Sequence, residues 1–393
     1  MSKAARDPIF TRYLYLRSDV GIALLSSILN KKQEQAKFWA MELFHSGLYE
    51  DATTILWRTY YEFYATLNPK FESHFFKKMQ EASTTDEEKR VFLIEMCRNL
   101  IIRPYNCDVF MLREIAANVV AVDEEDEEGK STPTEKKAPT IQSLLPLNKY
   151  EDIARLVIDG DDKEVYSAAV DYFVQKGVIK QGKKYSLLEK LADVLGLNTK
   201  VIILTRIMQY YSSLVLKPGK NVYLVENPED SVKYNTANPK ESESPERLLP
   251  KVALYSPNED NYLFLFYGIP EKEHANLLRA YRLDWLYHSY MTPIWQERIN
   301  AYGGSAAEDE KEVIFEDDNK HDAFYAKYGY NPDEQPAEFQ EKQVPALKER
   351  MTWVSFYEKH KNTSGLYVPE PEFLEALDES TCCESEDSLS PSK

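Results

Sequence analysis

Between residues 18 and 120 apolar side chains recur every three or four positions, the spacing of helices that bury one stripe. Val20, Ala23, Leu24 and Ile28 make the first stripe, with Ser18-Asp19 as its cap. Ala36, Trp39, Ala40 and Leu43 make the second, and Gly47 is placed to end it. The third segment is different. Ala52, Ile55, Leu56, Tyr60, Phe63 and Leu67 line one side of it, while Trp57, Tyr61 and Tyr64 line another, up to Asn68-Pro69. A helix that is apolar on two sides has to be covered on two sides, as in layered helical arrays. Pro69 then starts a helix carrying Phe71, Phe75 and Met79. Thr85 and Glu88 fit a capping box before a helix over 91–100, which Arg103-Pro104 closes, and a sixth helix covers 109–120. Trp39, Leu43, Gly47, Ala52 and Pro69 echo a tetratricopeptide unit, but the offsets are wrong and no second copy follows, so the prediction is an irregular array.

Downstream the pattern changes twice. Asp123 to Glu128 is an acidic run followed by a Lys/Thr/Pro-rich stretch, a composition that buries too little surface to offset its ordering entropy. A second helical block runs from 141 to 216. Short strands are predicted at 221–225, 251–255 and 262–267, then helix again over 271–301 with a break at Thr292-Pro293. The expected organisation is therefore mainly α. An N-terminal helical array (1–121) and a linker (122–140) lead to a second α-rich domain with a small β element (141–303). An acidic-aromatic segment (304–377) and a disordered tail (378–393) complete the chain.

Composition narrows the chemistry. The net charge of −17 is uneven: residues 1–120 hold 16 basic and 15 acidic groups, and the rest of the chain carries the excess. Such a surface repels phosphate, which argues against uniform nucleic-acid binding. Only 13 glycines occur, few for phosphate-cradling loops. Cys97, Cys107, Cys382 and Cys383 lack zinc-ligand spacing and read as reduced thiols. The six histidines are scattered, without an H-E-x-x-H pair, and no nucleophile motif appears; no catalytic, cofactor-binding or metal-binding residue is predicted. No apolar run is long enough to span a bilayer, and no secretory signal is read at the start.

Two segments mimic functional motifs. Gly177 to Lys184 matches G-x-x-x-x-G-K, but Lys184 stands where Ser or Thr should hold magnesium, and the preceding residues read as helix. Gly177 is better explained as a helix end. Ser186 and Glu189 then suit a capping box, and 191–202 resembles a helix-turn-helix around Gly196. Residues 176–220 hold nine Lys/Arg against Glu189 and Asp193, a local charge of +7. Lys183, Lys184, Lys200 and Arg206 are the candidate phosphate contacts of this alternative reading. Against it, the would-be recognition helix from Val201 is nearly all apolar, as a core helix with a basic rim would be. The rings of 308–357, such as those in Phe324 to Tyr330 and Trp353 to Tyr357, either dock across a partner or pack on their own domain.

Five stretches carry a resemblance. Phe10 to Val20, Ala36 to Gly47 and Leu56 to Pro69, with Pro293 to Ile299 and Phe324 to Gln335 near the other end, resemble uncharacterised helical proteins of nucleocytoplasmic large DNA viruses. The resemblance brings no catalytic residues. It implies a viral protein in the host cytoplasm or viral factory, or in the virion. The expected function is a non-enzymatic protein-interaction or assembly protein with protein partners. The alternative is a genome-associated or transcription factor working through 176–220, and an enzyme with an unfamiliar site is the third class.

Overall fold

The structure, a computed structural model, describes residues 8–82, 84–119, 139–216, 222–226, 279–280, 282–307, 311–328, 352–362 and 364–382. The array predicted for the N-terminal part is present: α1 (Arg17–Leu29), α2 (Gln33–His45), α3 (Tyr49–Thr59), α4 (Phe71–Glu81), α5 (Asp86–Ile101) and α6 (Asp108–Asn118). Thr85 and Glu88 close their capping box in both directions, at 2.9 and 3.2 Å. The Ser18-Asp19 cap does not form, because α1 already starts at Arg17, with Leu16 at the cap position. Gly47 ends α2 with φ +81°, and a Cβ there would lie 2.6 Å from Pro293. Glycine is thus required both by the backbone and by the approach of a distant helix.

The aromatic helix is buried on both stripes, as its pattern demanded: Leu56, Trp57, Tyr60, Tyr61, Phe63 and Tyr64 are at most 1% exposed. It is not one regular α-helix, however. Tyr60–Tyr64 is a π-helical turn in which the Ala65 N–H reaches back five residues to Tyr60 O at 2.8 Å. Two carbonyls along this stretch accept from another helix, α11 (Thr199–Val215). Thr205 Oγ1 donates to Tyr61 O at 3.1 Å, and Gln209 Nε2 donates to Ala65 O at 2.8 Å. The polar residues of α11 therefore serve the irregular backbone they pack against.

The second block comprises α7 (Ile141–Leu144), α8 (Tyr150–Asp159), α9 (Asp162–Gln175), α10 (Tyr185–Leu195) and α11. Gly177 (φ +71°) and Gly196 (φ +62°) end α9 and α10 as predicted. The capping box at Ser186 is absent, since α10 begins at Tyr185 with Lys184 before it. One apolar core draws on residues 13–119, on 141–211 and on 353–377. Helix α11 lies against the π turn, α6, α8, α9 and α10, and α6 against α8. The boundary expected at 122–140 therefore does not separate two cores, and that stretch falls almost wholly outside the described residues.

A second, smaller core corrects the expected 141–303 domain. Phe10, Leu14 and Leu16 pack with Trp285, Leu286, Trp295, Ile299 and Phe324. The partners come from α12 (Trp285–Tyr290), α13 (Pro293–Asn300) and α14 (Asp318–Tyr328), and the break at Thr292-Pro293 is as predicted. Thr292 and Trp295 hold the loop through Phe10 O and Thr11 O, the latter bond being 3.0 Å. The small β element is a two-stranded antiparallel sheet, β1 (Gly304–Ala307) and β2 (Glu312–Phe315), not the predicted strands. Residues 222–225 form no strand, and 251–255 and 262–267 lie outside the described residues.

Of the two readings of the acidic-aromatic segment, the packing one holds for its described rings. Phe324 belongs to the second core, and Trp353, Phe356 and Tyr357 of α15 (Trp353–His360) belong to the first. These rings are consumed by the chain's own interior and are not offered to a partner. Helix α16 (Pro371–Cys382) covers α6 and runs past 378, where a disordered tail was expected to begin.

Two buried groups clamp α15 and the turn after it onto the array. His360 Nδ1 meets the Tyr105 hydroxyl at 2.8 Å, and the Leu366 N–H donates to Asp108 Oδ2 at 2.8 Å. Burial, then Lys359, pulls His360 down to about 4, while burial pushes Asp108 up to about 6 despite backbone donors. The signs oppose. Neutral His360 contributes stability that is lost as pH falls from about 6.5 to about 4, whereas Asp108 gains a proton early and adds stability as pH falls from about 6 to about 4. Relative to the wild-type chain, His360→Gln should gain about 2 kcal/mol on acidification from neutral pH to the lower end of that window, and Asp108→Asn should lose about as much. Urea unfolding of the three chains at both pH values checks it; parallel profiles would refute it.

Candidate interaction groove

Helix α5 is largely apolar where it enters the core, yet Glu95, Asn99 and Arg103 recur four residues apart on and just beyond it, with Arg98 beside them. At that spacing they form one row. All three members of the row are at most 7% exposed, a burial such groups tolerate only when their bonds are made.

What satisfies them is a stretch of the same chain outside any helix or strand, residues 222–226. Asn99 Nδ2 donates to Leu224 O at 2.7 Å, and its Oδ1 accepts from Leu224 N at 3.0 Å. The same amide donates to Glu95 O at 2.9 Å and accepts from Arg103 Nη1 at 3.0 Å, which uses its full donor and acceptor capacity. Arg103 Nη2 donates to Val222 O at 2.6 Å. At the other end the Glu226 N–H makes a long bond of 3.4 Å to Glu95 Oε2. Glu226 itself, 4% exposed, pairs with Arg98.

Helix α4 supplies the aromatic wall. The Tyr223 ring stacks on His74 at 4.1 Å between centroids and also faces Phe71, over which the Arg103 guanidinium sits at 3.7 Å. Burial, with Lys78 and Arg103 nearby, holds His74 below its usual value, so a neutral imidazole stacks on the phenol at neutral pH. Burial lowers Arg103 to about 10, still fully cationic, and raises Glu95 against the pull of Lys78. The groove thus offers donors and acceptors for a backbone, a ring slot and a cation.

The four basic candidates form no comparable surface. Arg206 is 8% exposed and pairs with Glu72, and Lys183 Nζ reaches the same carboxylate at 3.1 Å. Lys200 Nζ sits 3.1 and 3.2 Å from the carbonyls of Val157 and Gly160, at the C-terminal end of α8, and 3.1 Å from Asp162. Lys184 is exposed at the start of α10. The structure therefore brings two of the four together on a carboxylate. The would-be recognition helix α11, buried from Val201 to Gln209, cannot enter a groove of DNA.

Sequence reading missed this groove because it treated 91–100 as a packing helix and 221–225 as a strand. A polar row at intervals of four inside an apolar helix was the available signal. Among the described residues, no group of three or more His, Cys, Asp or Glu is placed to hold a metal ion, and no helix is long and apolar enough to cross a membrane. Comparison with protein-family models gives no match, and neither curated proteins nor solved structures match the chain significantly.

Proposed function

We propose that this chain is a non-enzymatic protein-interaction or assembly protein that holds extended polypeptide along α4 and α5. The observation that carries the reading is the two-point pairing of the buried Asn99 amide with both backbone groups of Leu224. A side-chain amide so placed recognises an extended chain through its main chain, which gives affinity, while neighbouring pockets add selectivity. On the resemblance to helical proteins of large DNA viruses, this role would be exercised in the host cytoplasm or viral factory, or in the virion. The genome-associated alternative is not favoured by the side chains it relied on, because Arg206, Lys183 and Lys200 already have partners within the chain.

An array of short random peptides, probed with the labelled full chain and with its Asn99→Leu variant, tests the reading. Peptides captured by the full chain should lose about tenfold or more in affinity for the variant, since two backbone bonds disappear. Circular dichroism establishes that the variant is folded. Capture that is indifferent to Asn99 sinks the proposal.

A further inference from the structure

The groove also discriminates among side chains. Resting on the interaction reading above, we infer that its partner is a protein segment with an aromatic residue three positions before an acidic one, and that residues 222–226 fill the groove in cis as a displaceable stand-in.

The contacts divide by position. Val222 and Val225 point away, at 57% and 69% exposure, so these positions accept any side chain. Tyr223, 38% exposed, lays one face of its ring on His74, and Glu226 is the most buried residue of the stretch, closed over by Arg98. Tyr223 and Glu226 stand three residues apart on one segment, so the ring on His74 and the Arg98 cation together set the spacing of the two side chains. Arg98 closes over the Glu226 carboxylate, and a basic residue at the same point would meet that like charge instead. The site is built for one sign of charge.

Displaceability follows from what the stretch does not do. None of residues 222–226 belongs to either apolar core. Its departure would therefore leave the array packed but strand Asn99, Arg103 and Glu95 as unpaired buried groups. The groove cannot stand empty at low cost, and it can exchange one segment for another. A cis occupant lowers the apparent affinity for a partner by the fraction of time the groove is closed.

The test uses a labelled peptide, Asn221-Val-Tyr-Leu-Val-Glu-Asn227, titrated by fluorescence anisotropy into the full chain and into the full chain carrying Tyr223→Ala and Glu226→Ala. The doubly substituted chain, its own segment weakened, should bind about tenfold or more tighter than the wild type. Adding Arg98→Glu should reduce binding of this peptide by about tenfold, and a Glu226→Lys version of the peptide should recover it. Arg98 is partly exposed, so this exchange spares the fold. Failure of the peptide to bind either chain, or insensitivity to the charge exchange, overturns the inference. Sedimentation showing that wild-type chains pair by trading their own 222–226 segments would also overturn it, by making a second copy the occupant. The two readings separate on the peptide array. Asn99-dependent peptides without the aromatic-x-x-acidic pattern defeat the selectivity and leave the interaction role standing; absence of Asn99-dependent capture defeats both.

Discussion

Trp57→Ala should destabilise the chain by about 3–5 kcal/mol, among the largest effects of any single change. Trp57 is fully buried, stacks on Phe75 at 3.7 Å and 8°, and meets Tyr60 edge-on and Tyr61 face-on at 5.9 Å. Its indole N–H points at Met79 Sδ, 3.2 Å away. Removing the indole opens a cavity at the junction of α3, the π turn and α4, where the walls are rings that cannot collapse without losing their own contacts. Trp57→Phe should cost much less, because a ring still lies against Phe75. Val194→Ala, at a position 60% exposed, should stay within about half a kcal/mol. Urea midpoints for the three variants, at unchanged slope, are the measurement. A loss below about 1 kcal/mol for Trp57→Ala would mean that the helix is not covered on both sides.

Glu72→Ala should cost about as much, by another route. Arg206 is held by Glu72 inside the protein, with Gln209 at 2.8 Å as a second partner. Taking away the carboxylate strands a buried guanidinium, for which about 3–5 kcal/mol is typical. Replacing both members, Glu72→Met with Arg206→Met, removes the charge along with its partner and should recover most of the loss. A double-mutant cycle in urea reads this directly. Additive losses would show that the two groups do not depend on each other. The same cycle bears on the basic stretch 176–220, because a residue needed to neutralise a buried carboxylate is not free to neutralise phosphate.

How far the sequence carried the fold depended on whether local pattern or distant contact decided the outcome. The six N-terminal helices were legible because stripes, caps and breakers agree along the chain: Thr85 with Glu88, Gly47 after α2, Pro69 before α4. The π turn was not, since its carbonyls are served by Thr205 and Gln209, about 140 residues away in sequence. The +7 stretch misled for a related reason. Net charge counts Arg206 and Lys183 as available, while Glu72, on α4, had already claimed them. The groove was half visible. Glu95, Asn99 and Arg103 stand in plain spacing, but only the fold brings Val222 to Glu226 across them. The small sheet fell in a segment where acidic residues masked a weak alternation.

The loop from Phe10 to Leu16 has a consequence for how the protein is made. The Phe10 carbonyl meets Thr292 across 282 residues of chain. At about 5–20 residues per second, a ribosome needs about 15–60 seconds to supply that partner after Phe10 emerges. For that interval Phe10, Leu14 and Leu16 are hydrophobic and unclaimed, while α1 and α2, immediately after them, can already pair. The first apolar residues of the described chain are thus among the last to be buried, and nascent-chain chaperones have the longest access there.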